Sequence, residues 1–315
     1  MGLAFVFPGQ GSQAVGMGVD LAEAFSAARE VFEEVDEALG QRLSKLMREG
    51  PIEELTLTQN AQPALMAVSV AAIRSLERDF GVGIGRASFV AGHSLGEYSA
   101  LCAAEALSLG DAARLLRRRG EAMQRAVPVG ESAMAALIGP KTDVALAEAA
   151  AAEGAKTGVC EVANDNNLGN VVISGTAAAI ARAIEKAKEL GARALPVNVS
   201  APFHCALMRP AADEMAEALA EVKIAAPRAF LVANVTARPT NDPEIIRRQL
   251  VEQVTGRVRW RESIEWLAGE GQVDRFAEAG AGKVLTGMIK RSAPDAEGVA
   301  LNGPADLEAF AKSLG

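Results

Sequence analysis

The sequence predicts an α/β protein: a large, discontinuous domain built on a parallel sheet, interrupted by a smaller βαββαβ unit. Three features predict it. The apolar run Leu3 to Phe7 ends in Pro8-Gly9-Gln10-Gly11, as a buried strand does where it opens into a tight loop. Arg86 to Ala91 reads as a second strand, leading through Gly92-His93-Ser94-Leu95-Gly96 into an alanine-rich helix from Tyr98 to Leu107. From Ser132 to Val199 the pattern switches to short strands alternating with helices.

Taken in order, Leu21 to Leu39 carries apolar residues at helical spacing and stops at Gly40, and Pro63 to Leu76 is a more apolar, buried helix. Ser132 to Ile138, Val159 to Ala163, Asn170 to Ser174 and Arg193 to Val199 read as strands. Asp143 to Glu153 and Thr176 to Leu190 read as helices. That order is the split βαβ of a ferredoxin-like unit. Pro128-Val129-Gly130 and Ser200-Ala201-Pro202 flank it, so the expected division is 1–129 with 200–315 for the large domain and 130–199 for the small one. Leu231 to Val235 and Val273 to Ala277 return as two further buried strands.

Composition narrows the function. A chain of 315 residues, 50% of them hydrophobic, fills a sizeable core. With 40 acidic against 32 basic residues and a net charge of −8, a nucleic acid or an anionic membrane is disfavoured as partner. The start lacks a basic segment and no apolar run reaches bilayer length, so a cytoplasmic protein is expected. Three cysteines without a CxxC pair fit buried, reduced thiols, and two histidines are too few for a His-rich metal site.

Ser94 sits at the centre of GxSxG. A serine hydroxyl becomes a nucleophile when its oxygen is exposed, a base takes its proton and donors await the oxyanion. Glycines on either side permit the sharp strand-to-helix turn that lifts the side chain, with the Leu95 N–H facing the same point. GxSxG alone is a weak signal; a strand before it and a helix after it are the confirming context. His93 adjoins Ser94 on the turn and does not face it, which leaves His204 as the base. The loop after the first strand places the Gln10 N–H as a second oxyanion donor.

Rival readings fail on context. Gly9, Gly11 and Ala14 satisfy the dinucleotide fingerprint, but no second strand ending in an acidic residue follows, so no nucleotide cofactor is expected. Gly280-Ala281-Gly282-Lys283 lacks the first glycine of a phosphate loop at Ala277 and its Ser or Thr at Val284. An ordinary α/β-hydrolase places its histidine last, and none follows His204.

Four ordered segments then carry a resemblance: FPGQGSQ (Phe7 to Gln13), GHSLGEYSAL (Gly92 to Leu101), PFHCALM (Pro202 to Met208) and AGKVLTGMIKR (Ala281 to Arg291). With TQNAQPAL (Thr58 to Leu65) and RRGEAMQRAVP (Arg118 to Pro128), the chain resembles the malonyl-CoA:acyl carrier protein transacylase family over essentially its whole length. The resemblance implies an α/β-hydrolase-like core with a ferredoxin-like subdomain. It implies that Ser94 accepts malonyl from malonyl-CoA and that His204 acts as base and then acid. It also implies that the Gln253 main-chain carbonyl orients the histidine, that Gln10 and Leu95 supply the oxyanion donors, and that Arg119 holds the malonyl carboxylate.

Without the resemblance, Arg119 reads with Arg114, Arg117 and Arg118 as a solvated helix face. With it, a buried guanidinium pairing with the carboxylate that separates malonyl from acetyl has a physical reason to be there. Phe203 stands where related polyketide acyltransferase domains carry a residue associated with malonyl selection. The expected partners are malonyl-CoA, a substrate and not a cofactor, and acyl carrier protein. Docking candidates for the carrier are Lys283, Lys290 and Arg291, or Lys186 and Lys188. The simplest assembly is a monomer. Polyketide supply and a thioesterase-like hydrolase are the alternatives, along with a non-catalytic acyl- or carrier-binding module.

Overall fold

The computed structural model describes residues 2–197, 199 and 201–314. Met1, Gly315, the Asn198 position of the last expected small-unit strand and the Ser200 position of the expected domain crossing lie outside the described residues. The strands are β1 (Leu3–Phe7), β2 (Phe89–Gly92), β3 (Ser132–Ile138), β4 (Cys160–Asn167), β5 (Asn170–Thr176), β6 (Arg193–Pro196), β7 (Phe230–Val232), β8 (Pro239–Thr240), β9 (Arg275–Ala279) and β10 (Glu297–Leu301). Six of them form one sheet in the order β10-β9-β1-β2-β7-β8, parallel except for the antiparallel pair β7–β8. The other four form an antiparallel sheet in the order β4-β5-β3-β6. The protein is therefore α/β, a mainly parallel sheet with a separate antiparallel one.

β1 is apolar throughout because helices cover both faces of its sheet, and every residue in it is buried. It pairs in parallel with β2, and Phe7 lies opposite Gly92. The loop after β1 and the turn after β2 thus leave the same edge of the sheet side by side. A crevice outside the carboxyl ends of parallel strands is where such sheets bind ligands.

The antiparallel sheet buries its own cluster, with Ala135, Leu137 and Ile173 against Ala179, Ile180 and Ala183 of the helix Ala177–Glu189. Main-chain bonds then join it to the rest. The Asp165 N–H donates to the Val258 carbonyl at 2.9 Å, and the Val258 N–H donates to that of Ala163 at 2.8 Å. Arg261 adds an ion pair to the buried Asp165 carboxylate at 2.9 Å.

Two helices differ from expectation. Leu21 to Leu39 is split into Val19–Ala24 and Ser26–Leu39 by an extended Phe25 (φ −122°, ψ 130°). No Gly or Pro marks that break; the Phe25 ring packs edge-on against Phe80, 5.8 Å between centroids. The helix expected from Pro63 begins at Thr58 and runs to Phe80, enclosing Pro63. Its polar first turns resemble a loop in sequence, yet Thr58, Asn60 and Gln62 are all buried. The strand expected over Arg86 to Ala91 is shifted to Phe89–Gly92, after a 3-10 turn at Ile84–Arg86.

Candidate active site

Ser94 follows β2 with φ at 53°, a left-handed backbone that costs a residue with a Cβ roughly 1–2 kcal/mol. Its neighbours fix the turn. A Cβ on Gly92 would lie 1.9 Å from the Gly96 carbonyl, and one on Gly96 would lie 2.2 Å from the Phe7 oxygen. Only glycine fits at either place. Asn234, fully buried just after β7, locks the turn from behind. Its Oδ1 accepts the Ser94 N–H at 2.8 Å, and its Nδ2 donates to the Gly92 carbonyl at 2.7 Å.

His204 meets the serine from the far side of the small unit, 110 residues along the chain, with Nε2 2.8 Å from Ser94 Oγ. It too holds a left-handed backbone, at φ 59°. His204 Nδ1 lies 2.9 Å from the Gln253 carbonyl. A carbonyl only accepts, so Nδ1 carries the proton and Nε2 presents its lone pair to the serine hydroxyl. Gln253 is in the last turn of the helix Pro243–Thr255, where main-chain carbonyls lack helical partners and the dipole is negative. This helix end stands where a triad would have a carboxylate. Burial and the nearby Arg119 charge push His204 down to about 3, so it is neutral at ordinary pH.

Arg119 is 1% exposed, unlike Arg114, Arg117 and Arg118 on the same helix. Its guanidinium donates to Gln62 Oε1 and Gln253 Oε1, both at 2.8 Å, and to Ser94 Oγ at 3.2 Å. The adjacent Arg118 pairs with Glu214 at the surface. Behind Arg119, Gln253 Nε2 donates to Glu97 Oε2 at 2.7 Å and to the Ser94 carbonyl at 2.9 Å. Gln253 therefore serves the histidine through its main chain and the arginine through its side chain.

Gln10 and Leu95 flank the serine, and among the described residues neither main-chain N–H has a protein acceptor. His93 turns away from Ser94. Its Nε2 pairs with Asn166 Oδ1 of β4 at 2.9 Å, and its ring sits edge-on to Trp260. The cleft these groups line has a volume of about 290 Å³, and Met134, Asn164, Val172 and Phe203 close one side of it. It lies between the two sheets. No cluster able to hold a metal ion occurs among the described residues.

Sequence reasoning, with the resemblance, named Ser94, His204, Arg119, Gln253, Gln10 and Leu95; the fold brings five of them to one cleft, with Gln253 buried behind it and bonded to His204 and Arg119. It missed Gln62, Asn234 and Glu97. Gln62 lies in a segment whose polar residues resemble a helix start. Asn234 follows a three-residue strand and has no motif around it. Glu97 carries a charge that sequence alone assigns to solvent, although it is 0% exposed.

A serine–histidine pair at the carboxyl edge of a parallel sheet, with a buried guanidinium beside the serine oxygen, is a site for acyl transfer through serine. The family model for the acyl transferase domain matches residues 4–302. Proteins named malonyl CoA-acyl carrier protein transacylase from Bacillus subtilis (strain 168) and Escherichia coli (strain K12) are each 45% identical to it. These cover 99% and 97% of the chain, and 97% of each relative. An acyl-carrier-protein-S-malonyltransferase structure from Bartonella henselae superposes with a TM-score of 0.96 at 54% identity, covering 100% of this chain and 99% of that one. Another similar structure, at TM-score 0.95 and 42% identity over 99% of this chain and 100% of its own, is a malonyl-transacylase in complex with a type II PKS acyl-carrier protein. The chain belongs to the malonyl CoA-acyl carrier protein transacylase family.

Proposed function

We propose that the protein moves a malonyl group from malonyl-CoA to the phosphopantetheine thiol of acyl carrier protein, through a malonyl ester on Ser94, to supply fatty acid synthesis. The observation that carries the reading is the Ser94–His204–Arg119 constellation, one acylatable oxygen shared between a neutral base and a buried cation. His204 Nε2 takes the hydroxyl proton as Ser94 Oγ attacks the thioester carbonyl. The oxyanion is received by the Gln10 and Leu95 N–H groups. Collapse expels the CoA thiolate, which takes the proton from His204. The carrier thiol then gives its proton to His204 and attacks the ester, and collapse expels the Ser94 oxygen, which takes that proton back from His204 and leaves the malonyl-thioester and free Ser94.

Arg119 supplies the selectivity in this reading. A malonyl carboxylate replaces the serine hydroxyl as its third partner, whereas acetyl leaves the buried charge without that anion. The carboxylate has a second effect: by offsetting the Arg119 charge it removes one of the causes that depress His204, so the correct acyl group strengthens its own base. Gln253 orients the ring, and the helix end behind it favours the imidazolium that forms.

In this reading residues 130–199 form the subdomain that walls the cleft, and 1–129 with 200–315 form the catalytic domain. No cofactor takes part. For the carrier protein, Lys283, Lys290 and Arg291 are favoured over Lys186 and Lys188. The latter two already pair with Glu189 and Glu185, whereas Val284, Leu285 and Met288 of the helix Val284–Ser292, which Lys283 precedes and Lys290 and Arg291 end, line the cleft. A cytoplasmic site of action fits a chain in which no described helix is long and apolar enough to cross a membrane.

Intact-mass analysis after exposure to malonyl-CoA alone tests the reading. A malonyl adduct is expected on the wild type and none on Ser94→Ala; an unmodified wild type, or equal modification of both, overturns it.

A further inference from the structure

We propose that Glu97 is a positioning residue that balances the charge of the acyl-carboxylate site, ionised against Arg119 when the cleft is empty and protonated when a malonyl carboxylate arrives. This deepens the malonyl-transfer reading and rests on it. The reaction as written above uses no acidic side chain, yet a carboxyl group with no exposure stands directly behind the substrate cation.

Geometry ties Glu97 to the site. Its Oε2 accepts from Gln253 Nε2 at 2.7 Å and from the Asn234 N–H at 3.3 Å. Gln253 Oε1 in turn accepts from Arg119 Nη2. The amide is thus polarised end to end between carboxylate and guanidinium, and Glu97 fixes which end faces Arg119. A flipped amide would set an NH₂ group against the guanidinium. The charged and titratable groups around Glu97 are Arg119 from the helix Leu109–Arg125, the Tyr98 hydroxyl beside it in sequence and, beyond Ser94, His204. Arg119 is the one cation among them.

One buried guanidinium balances one carboxylate. When malonyl brings a second, two like charges compete for it without water, and the group lacking direct contact with Arg119 takes up a proton from solvent. Glu97 is built for that. Its Oε1 is buried and without a partner, so a proton can settle there while Oε2 keeps both its bonds. Burial already pushes the Glu97 carboxyl up to about 7, close to the pH at which the exchange is needed. Transfer of the malonyl group out of the cleft returns the proton.

The test follows KM against pH for two acyl donors. For malonyl-CoA the wild-type KM is expected to rise above about pH 7, approaching tenfold per pH unit, because binding then takes up one proton. For acetyl-CoA it should stay flat. Glu97→Gln keeps an acceptor for Gln253 and removes the titration, so its malonyl-CoA KM should be flat as well. A flat wild-type profile, or an unchanged rise in Glu97→Gln, overturns the proposal. Should that variant misfold, titration calorimetry of Ser94→Ala with malonyl-CoA in buffers of different protonation enthalpy gives the same answer. Close to one proton taken up per site at about pH 8 supports the proposal and none overturns it. An absent malonyl adduct on the wild type would instead mean that the malonyl-transfer reading itself is wrong.

Discussion

Arg119 is the residue on which acyl choice turns. Replacing it with alanine leaves Gln62 and Gln253 without their donor and strands an incoming carboxylate in a buried site, a loss of about 3–5 kcal/mol. Arg119→Ala is therefore expected to lower kcat/KM for malonyl-CoA by roughly two to four orders of magnitude, with a smaller loss for acetyl-CoA. Steady-state kinetics on both donors measures the difference, and equal losses would remove the carboxylate role. Arg119→Lys should rescue little, since an ammonium cannot span Gln62, Gln253 and the acyl group in one plane. At this scale the sequence was legible where chemistry is local. Ser94 lies in a motif, and His204 is one of only two histidines. The supporting amide side chains were not legible: Gln253 was named only for its main-chain carbonyl, through the resemblance, and Gln62 and Asn234 come from distant segments whose meaning lies in contacts between them.

Two helices crossing at a glycine set the arginine in place. Gly120 follows Arg119, and a Cβ there would lie 2.5 Å from the Gln59 Cα, in the first turn of the helix Thr58–Phe80. This close approach lets Gln62 reach the guanidinium. Gly120→Ala is expected to push the helices apart, costing about 1–3 kcal/mol in stability. It should raise the malonyl-CoA KM while leaving Ser94 reactive. Denaturant unfolding together with malonyl and acetyl kinetics checks both parts; an unchanged KM would show that the crossing does not position Arg119. Element boundaries were read well where turn residues mark them, as at Asp143, which caps the helix Val144–Gly154 through the Leu146 N–H. They were misread at Phe25 and Thr58, where a ring contact and buried amides override the local pattern.

The molecule as a whole holds a neutral histidine between two sheets, and its stability registers this. The unfolded His204 protonates near 6.5 and the folded one near 3, so below about pH 6.5 the unfolded state binds the extra proton and stability falls with pH. Between pH 6.5 and about 4.5 this loss amounts to roughly 2–3 kcal/mol. His204→Gln should lack that component, and urea unfolding of both proteins at the two pH values measures it. An identical acid slope in the variant would mean the histidine is not held neutral. The fold class was legible because parallel strands read as short apolar runs and the antiparallel unit as alternating elements. The order of strands within each sheet was not, since it depends on pairings between distant segments such as β1 with β9. One such pairing has a consequence during synthesis. β2 and β7 are neighbours in the sheet, yet the whole antiparallel unit is made between them. On the ribosome Ser94 emerges long before His204, and the carbonyl of Gln253 comes later still. The nascent chain therefore carries a serine without its base until His204 and Gln253 have been made.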